Sequence, residues 1–213
     1  MKYSLEKQAG LALILFCLLL VCTIILHPSG GSLEHLLSMS RLIVTTHTIA
    51  IFSLPIGGIG FWGLSRKIGR DHFASMLAFS MILLGLIAAL LAGATNGLVL
   101  PIYLQHYKEA TPGTLANITP MLQYGFAVNH AFDYIYTGAF AVAILCWSIT
   151  ILLTKKLPVW LGWFGIALFL LMAIIFLSGT AVNTVHGLRI FVTGMVAWIL
   201  LTGSVLYQDK PKA

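Results

Sequence analysis

Charge is what this sequence most lacks. Only 8% of its residues are charged, where a water-soluble domain carries about a quarter. Twelve Lys and Arg with six Asp and Glu, in a chain of 213 residues, cannot cover a water-facing surface. That shortage excludes a soluble globular domain, cytosolic or secreted, and with it a disordered chain. It also excludes a nucleic-acid-binding domain, although the net charge is +6. Cysteine is nearly as scarce. Cys17, Cys22 and Cys146 all lie in apolar runs, with no CxxC and no zinc-finger spacing, so they offer no disulfide framework. No histidine falls in an HxH, HExxH or HxxxH pattern, and no Ser or Cys sits in a nucleophile-elbow context. Gly57-Gly58-Ile59-Gly60 is no phosphate loop, because it lies in the middle of an apolar run that a nucleotide cannot reach.

What is present is apolar bulk: 59% of the residues are hydrophobic, and the mean hydropathy is +0.98. A helix crossing the hydrocarbon needs roughly 20 mostly apolar residues. Six stretches answer to that, near 10–26, 42–64, 74–98, 132–153, 158–178 and 188–207. The expected fold is therefore all-α, a polytopic membrane protein built as a six-transmembrane-helix bundle. Residues 1–213 form a single transmembrane domain in this reading. The first stretch follows Lys2 and Lys7 but carries no A-x-A cleavage site, so it reads as a retained span.

Lys and Arg placement orients the bundle. With the N-terminus inside, Lys2, Lys7, Arg66, Lys67, Arg70, Lys155, Lys156, Lys210 and Lys212 are cytoplasmic. Arg41, Lys108 and Arg189 remain on the other side. By the positive-inside rule both termini are cytoplasmic. His27, His35, His47, His106, His130 and His186 then gather towards the outer face, and His72 alone lies inside.

The fourth and sixth stretches share a frame. His130-Ala-Phe-Asp133-Tyr-Ile-Tyr-Thr137-Gly138-Ala-Phe-Ala141 matches His186-Gly-Leu-Arg189-Ile-Phe-Val-Thr193-Gly194-Met-Val-Ala197 as H-x-x-[D/R]-x-x-x-T-G-x-x-A. The second stretch opens similarly, His47-Thr-Ile-Ala50-Ile-Phe52, and the third and fifth end on Asn96 and Asn183. The expectation is a parallel internal repeat over spans 2–3, 4–5 and 6, each unit a helix starting at His and a return helix ending at Asn. The arrangement of short cytoplasmic hairpins and repeated helices resembles small six-helix bacterial inner-membrane proteins. That resemblance implies the bacterial inner (plasma) membrane, and no motif points to a characterised enzyme or transporter family.

Residues i, i+3, i+4 and i+7 share a helix face, so His130, Asp133, Tyr134 and Thr137 form one polar stripe. Asp133 is the one carboxylate within a span, where an unpaired charge is costly. Arg189 fills its slot in the repeat and is the expected ion-pair partner. Asn96, Asn129 and Asn183 either join this ligand-binding set or cap helix ends. Neutral imidazole binds zinc, copper and iron, so His47, His130 and His186 are the candidate metal ligands. Copper draws additional support from His27, His35 and Met39 in the first outer loop. The site would hold a metal ion such as zinc or copper, haem b, or a small polar or amphipathic ligand. Its partners are the lipid bilayer and that ligand, with no nucleic acid. In the alternative reading the chain is a non-catalytic membrane component, a small-molecule carrier or a subunit of a larger complex. Gly57, Gly58, Gly60, Gly63, Gly138 and Gly194 are then packing positions, Pro55 kinks the second span, and Trp147, Trp160, Trp163 and Trp198 anchor at interfaces or face lipid.

Overall fold

Backbone polar groups in hydrocarbon must be satisfied within their own segment, and a helix does this for every residue but its ends. The apolar runs obey. The computed structural model describes residues 4–27, 33–109, 112–177 and 185–208, with the backbone alone at 33, 112, 114–116 and 185–191. All elements among the described residues are helical: α1 (Leu5–Leu26), α2 (Leu33–Ser38), α3 (Ser40–Gly69), α4 (Phe73–Ala94), a π-helical turn (Thr95–Val99), α5 (Leu100–Gln105), α6 (Pro112–Thr154), α7 (Val159–Leu177) and α8 (Val185–Gln208).

Five helical segments are long and apolar enough to cross a membrane: Leu5–Leu26, Ser40–Gly69, Phe73–Gln105, Asn117–Thr154 and Val159–Leu177. Their outward faces carry large exposed apolar side chains, among them Leu18, Phe52, Ile87, Leu153 and Ile174. A surface this apolar belongs in lipid. The chain is a multi-pass membrane protein. The described part of α8, Val192–Gln208, is apolar but shorter.

Tight turns reverse the chain at one end. Gly69 takes φ +136° and passes into Arg70 and Asp71 before α4. Lys155 takes φ +52° between α6 and α7, a left-handed conformation unusual outside glycine. Ser4 caps α1, its Oγ accepting the Lys7 N–H at 3.4 Å.

In sequence around the bundle, α1 packs on α3, α3 on α4, α4 on α6, α6 on α7, α7 on α8 and α8 back on α1. Lipid tails are as apolar as leucine, so close packing, not water exclusion, holds such helices together. Small residues make the closeness. A Cβ at Gly57, Gly60 or Gly63 of α3 would run into Phe16, Leu13 or Ala9 of α1. One at Gly10 would meet the α8 backbone, 2.5 Å from the Tyr207 nitrogen and 2.6 Å from the Gly203 oxygen. The packing role holds for Gly194 too, where Leu168 fills the space. It fails for Gly138, which has nothing within 4 Å.

Aromatic rings fill the centre. Phe61 stacks on Trp147 (centroids 5.3 Å, 13°), and Trp147 stacks on Trp198 (6.3 Å, 9°). Phe16 and Phe140 meet Phe61 edge-on. Such pairs contribute about 0.5–1.5 kcal/mol each beyond their buried area. The indoles are also tied: Trp147 Nε1 donates to Ser65 Oγ (2.9 Å) and Trp198 Nε1 to the Leu161 carbonyl (3.1 Å). This corrects the interfacial reading of Trp147 and Trp198, which are 0% exposed; Trp160 and Trp163 do face outward. Pro55 lies inside an unbroken α3.

The helices also overrun the hydropathy windows. α6 begins at Pro112, not at 132, and His47 and His130 sit well inside their helices. Among the three repeat histidines only His186 lies at a helix start, and Asn96 ends no helix because the chain stays helical to Gln105.

Candidate functional site

On α6, Asp133 is bonded to Asn129, a residue outside the expected stripe of His130, Asp133, Tyr134 and Thr137. Asn129 and Asp133 are one turn apart and half-buried, and Asn129 Nδ2 donates to Asp133 Oδ2 at 3.0 Å. A further turn along, Thr137 is buried, and its Oγ1 has no hydrogen-bond partner among the described residues. His130 and Tyr134 flank this row at exposed positions. Next to it, Tyr136 reaches inward, its hydroxyl donating to Met195 Sδ of α8 at 3.5 Å.

That contact joins α6 to α8 with a separation of 59 residues, close to the spacing of Asp133 from Arg189 in the repeat. It is a side-chain reach from α6 to α8, three residues beyond Asp133 along α6. The Arg189 and His186 side chains and all of Asn183 lie outside the described residues.

A second polar centre stands where α1, α3 and the π-helical turn meet. His47 of α3 is 9% exposed. Its Nδ1 hydrogen-bonds the Ile43 carbonyl at 2.8 Å, one turn back on its own helix. Only N–H can face a carbonyl, so the proton sits on Nδ1 and Nε2 carries a lone pair. The ring rests against Gly97, where any Cβ would collide with it. The π-helical turn therefore has a structural reason: it brings a glycine to the side chain of His47. Single π turns within helices are frequent at functional sites. Beside His47 is His27, at the C-terminal end of α1, with ring centroids 5.1 Å apart and planes tilted by 60°. Thr46, adjacent in sequence, is buried with its Oγ1 unpartnered among the described residues.

Asn96 lies within the π-helical turn and is half-buried. That turn packs against α3, α4 and α6. Asn129, inside α6 and bonded to Asp133, is no cap either.

No three His, Cys, Asp or Glu side chains come together as a metal-holding group among the described residues. His47 pairs with His27 of α1, while His130 stands exposed beside Asp133 on α6. Sequence reasoning missed the His27–His47 partnership. The available signal was that both histidines fall toward the same end of consecutive spans. It also missed the Trp147–Ser65 bond, whose members are 82 residues apart.

No protein-family model matches the chain, and neither the curated proteins nor the solved structures contain a match. The functional reading rests on the site alone.

Proposed function

We propose that this chain is a six-pass inner-membrane protein, with α8 as the sixth pass and both termini cytoplasmic, whose outer half binds a small polar or amphipathic ligand. The ligand sits at Asp133, Asn129 and Thr137, with Asn96, Tyr134, His130 and Arg189 around it. At 24 residues α8 is long enough to span, since about 20 suffice. The observation that carries the ligand reading is the row Asn129–Asp133–Thr137. A carboxylate is kept at membrane depth with one side-chain donor, and a buried hydroxyl a turn away has no partner among the described residues. Ionisable groups at such depth are expensive and mark binding or transport pathways. An unsatisfied hydroxyl beside one is a polar surface awaiting a hydrogen bond.

Binding stabilises a fold by about 2.7 kcal/mol at a ligand concentration of 100 Kd, which thermal melting in detergent resolves. Choline, glycine betaine and glucose serve as cationic, zwitterionic and neutral probes. The expected result is that one class raises the melting temperature of the unmodified protein and leaves Asp133→Asn unmoved. If no class does so, or if Asp133→Asn responds equally, the ligand site is refuted. The chain is then a non-catalytic membrane component in which these residues pack.

A further inference from the structure

We propose that His27 and His47 form a two-imidazole binding site for late first-row transition metals, Cu²⁺ above the rest, at the bundle end opposite the termini. This site lies on α1 and α3, apart from the Asp133 row on α6.

The argument begins with the state of His47. Metal-bound histidines almost always donate their second ring N–H to a carboxylate, a backbone carbonyl or water, which fixes the tautomer and aims the ligating nitrogen. His47 already has that arrangement: Nδ1 engages the Ile43 carbonyl at 2.8 Å, leaving the Nε2 lone pair as the ligating position. Two further neighbours confine the ring, Gly97 and His27. Little side-chain entropy remains to be lost when a metal binds.

His27 supplies the second imidazole. Its centroid lies 5.1 Å from that of His47. Ligand bonds to imidazole nitrogen are about 2.0–2.1 Å, and a nitrogen lies just over 1 Å from its ring centre. One ion can therefore be shared by these two rings after small rotations of His27, which is exposed at the C-cap of α1. With no third His, Cys, Asp or Glu in the group among the described residues, two protein ligands leave open positions for water. Such a site follows the general affinity order, in which Cu²⁺ exceeds Ni²⁺ and Zn²⁺, and Mg²⁺ is excluded by its preference for oxygen.

The test is a copper titration of the full chain in detergent, read by competition with a chromogenic chelator and by the nitrogen hyperfine structure of the Cu²⁺ electron paramagnetic resonance spectrum. The unmodified protein is expected to take up one tight equivalent with two imidazole nitrogens in the spectrum. Loss of even an outer-shell partner weakens metal binding about 10–100-fold, so His27→Ala and His47→Gln should each weaken it by at least about tenfold. Each should also show one fewer coupled nitrogen. His27→Ala keeps the result meaningful if His47→Gln fails to fold, because His27 is exposed at a helix end. His130→Ala and Asp133→Asn should retain full binding, which separates this site from the Asp133 ligand site. Absence of a tight equivalent in the unmodified protein overturns the assignment. So does unchanged binding in His27→Ala, or loss of binding in His130→Ala.

Discussion

Two glycine-to-alanine substitutions, Gly10→Ala and Gly58→Ala, should move stability in opposite directions although both lie inside apolar helices. Alanine is favoured over glycine in a helix interior by about 1 kcal/mol, and that gain applies to each. At Gly58 the added methyl meets one atom, Leu86 Cδ1, at 3.8 Å, an ordinary contact. The gain survives. At Gly10 the methyl would lie 2.5 Å from the Tyr207 nitrogen, 2.6 Å from the Gly203 oxygen and 3.0 Å from the Tyr207 Cα. Every one of these is backbone, so no side chain can swing away. Comfortable separations are about 3.5–4.0 Å, so α1 and α8 must part by roughly 1 Å. Overpacking of this kind costs about 1–3 kcal/mol, and rigid neighbours place it at the upper end. The net loss at Gly10 is about 1–2 kcal/mol after the helix gain is set against it. For a chain of this size 1 kcal/mol shifts the midpoint by about 2–4 °C. Thermal melting in detergent, followed by tryptophan emission, should therefore show Gly10→Ala lower by about 2–8 °C and Gly58→Ala higher by about 1–4 °C. Gly10→Ala melting at or above the unmodified protein would refute the α1–α8 contact. So would equal destabilisation by both substitutions.

Ser65→Ala leaves the fully buried Trp147 indole N–H without its acceptor. Side-chain hydrogen bonds within membranes contribute about 0.6–2 kcal/mol, so the melting temperature should fall while the detergent-solubilised bundle stays intact by size-exclusion chromatography. Gly97→Ala places a methyl where the His47 ring sits. It should weaken copper binding at least as much as His27→Ala without removing any ligand, measured in the same chelator competition. Reporter fusions at the C-terminus should give fluorescent green protein and inactive alkaline phosphatase, as a cytoplasmic C-terminus and a sixth crossing by α8 require. The reverse pattern would remove the sixth pass.

The membrane class was legible at once, because a charge shortage of this size has no soluble solution. Helix packing through Gly57, Gly60 and Gly63 was also legible, since small residues three apart line one face. The start of α6 was not. Residues 112–131 mix Pro112, Gly113, Asn117, Pro120 and Gln123 with apolar neighbours, and hydropathy windows see lipid preference, not helicity. Trp147 and Trp198 were misplaced for a related reason. An indole is apolar in composition wherever it points, and only its neighbours show that these two face Phe61 and Leu161. The His27–His47 pair depends on the register between two helices, which no periodicity within either helix encodes. The Asp133 row lies within one helix, so spacing alone located it. Pairing with Arg189 on α8 is a matter of tertiary placement, which spacing within α6 does not encode.

The π-helical turn at Thr95–Val99 has a consequence for insertions and deletions. A π turn holds one residue more than the α-helix around it needs. Deleting one residue there would let the helix close into regular α geometry without breaking. Everything beyond would stay nearly in phase, because the wider turn absorbs its extra residue within one revolution. Pro101 and Leu104, both buried now, would keep their seats. A single-residue gap that removes Gly97 would thus leave the helix and its far end in place and be felt at His47, which would lose the glycine against which it rests.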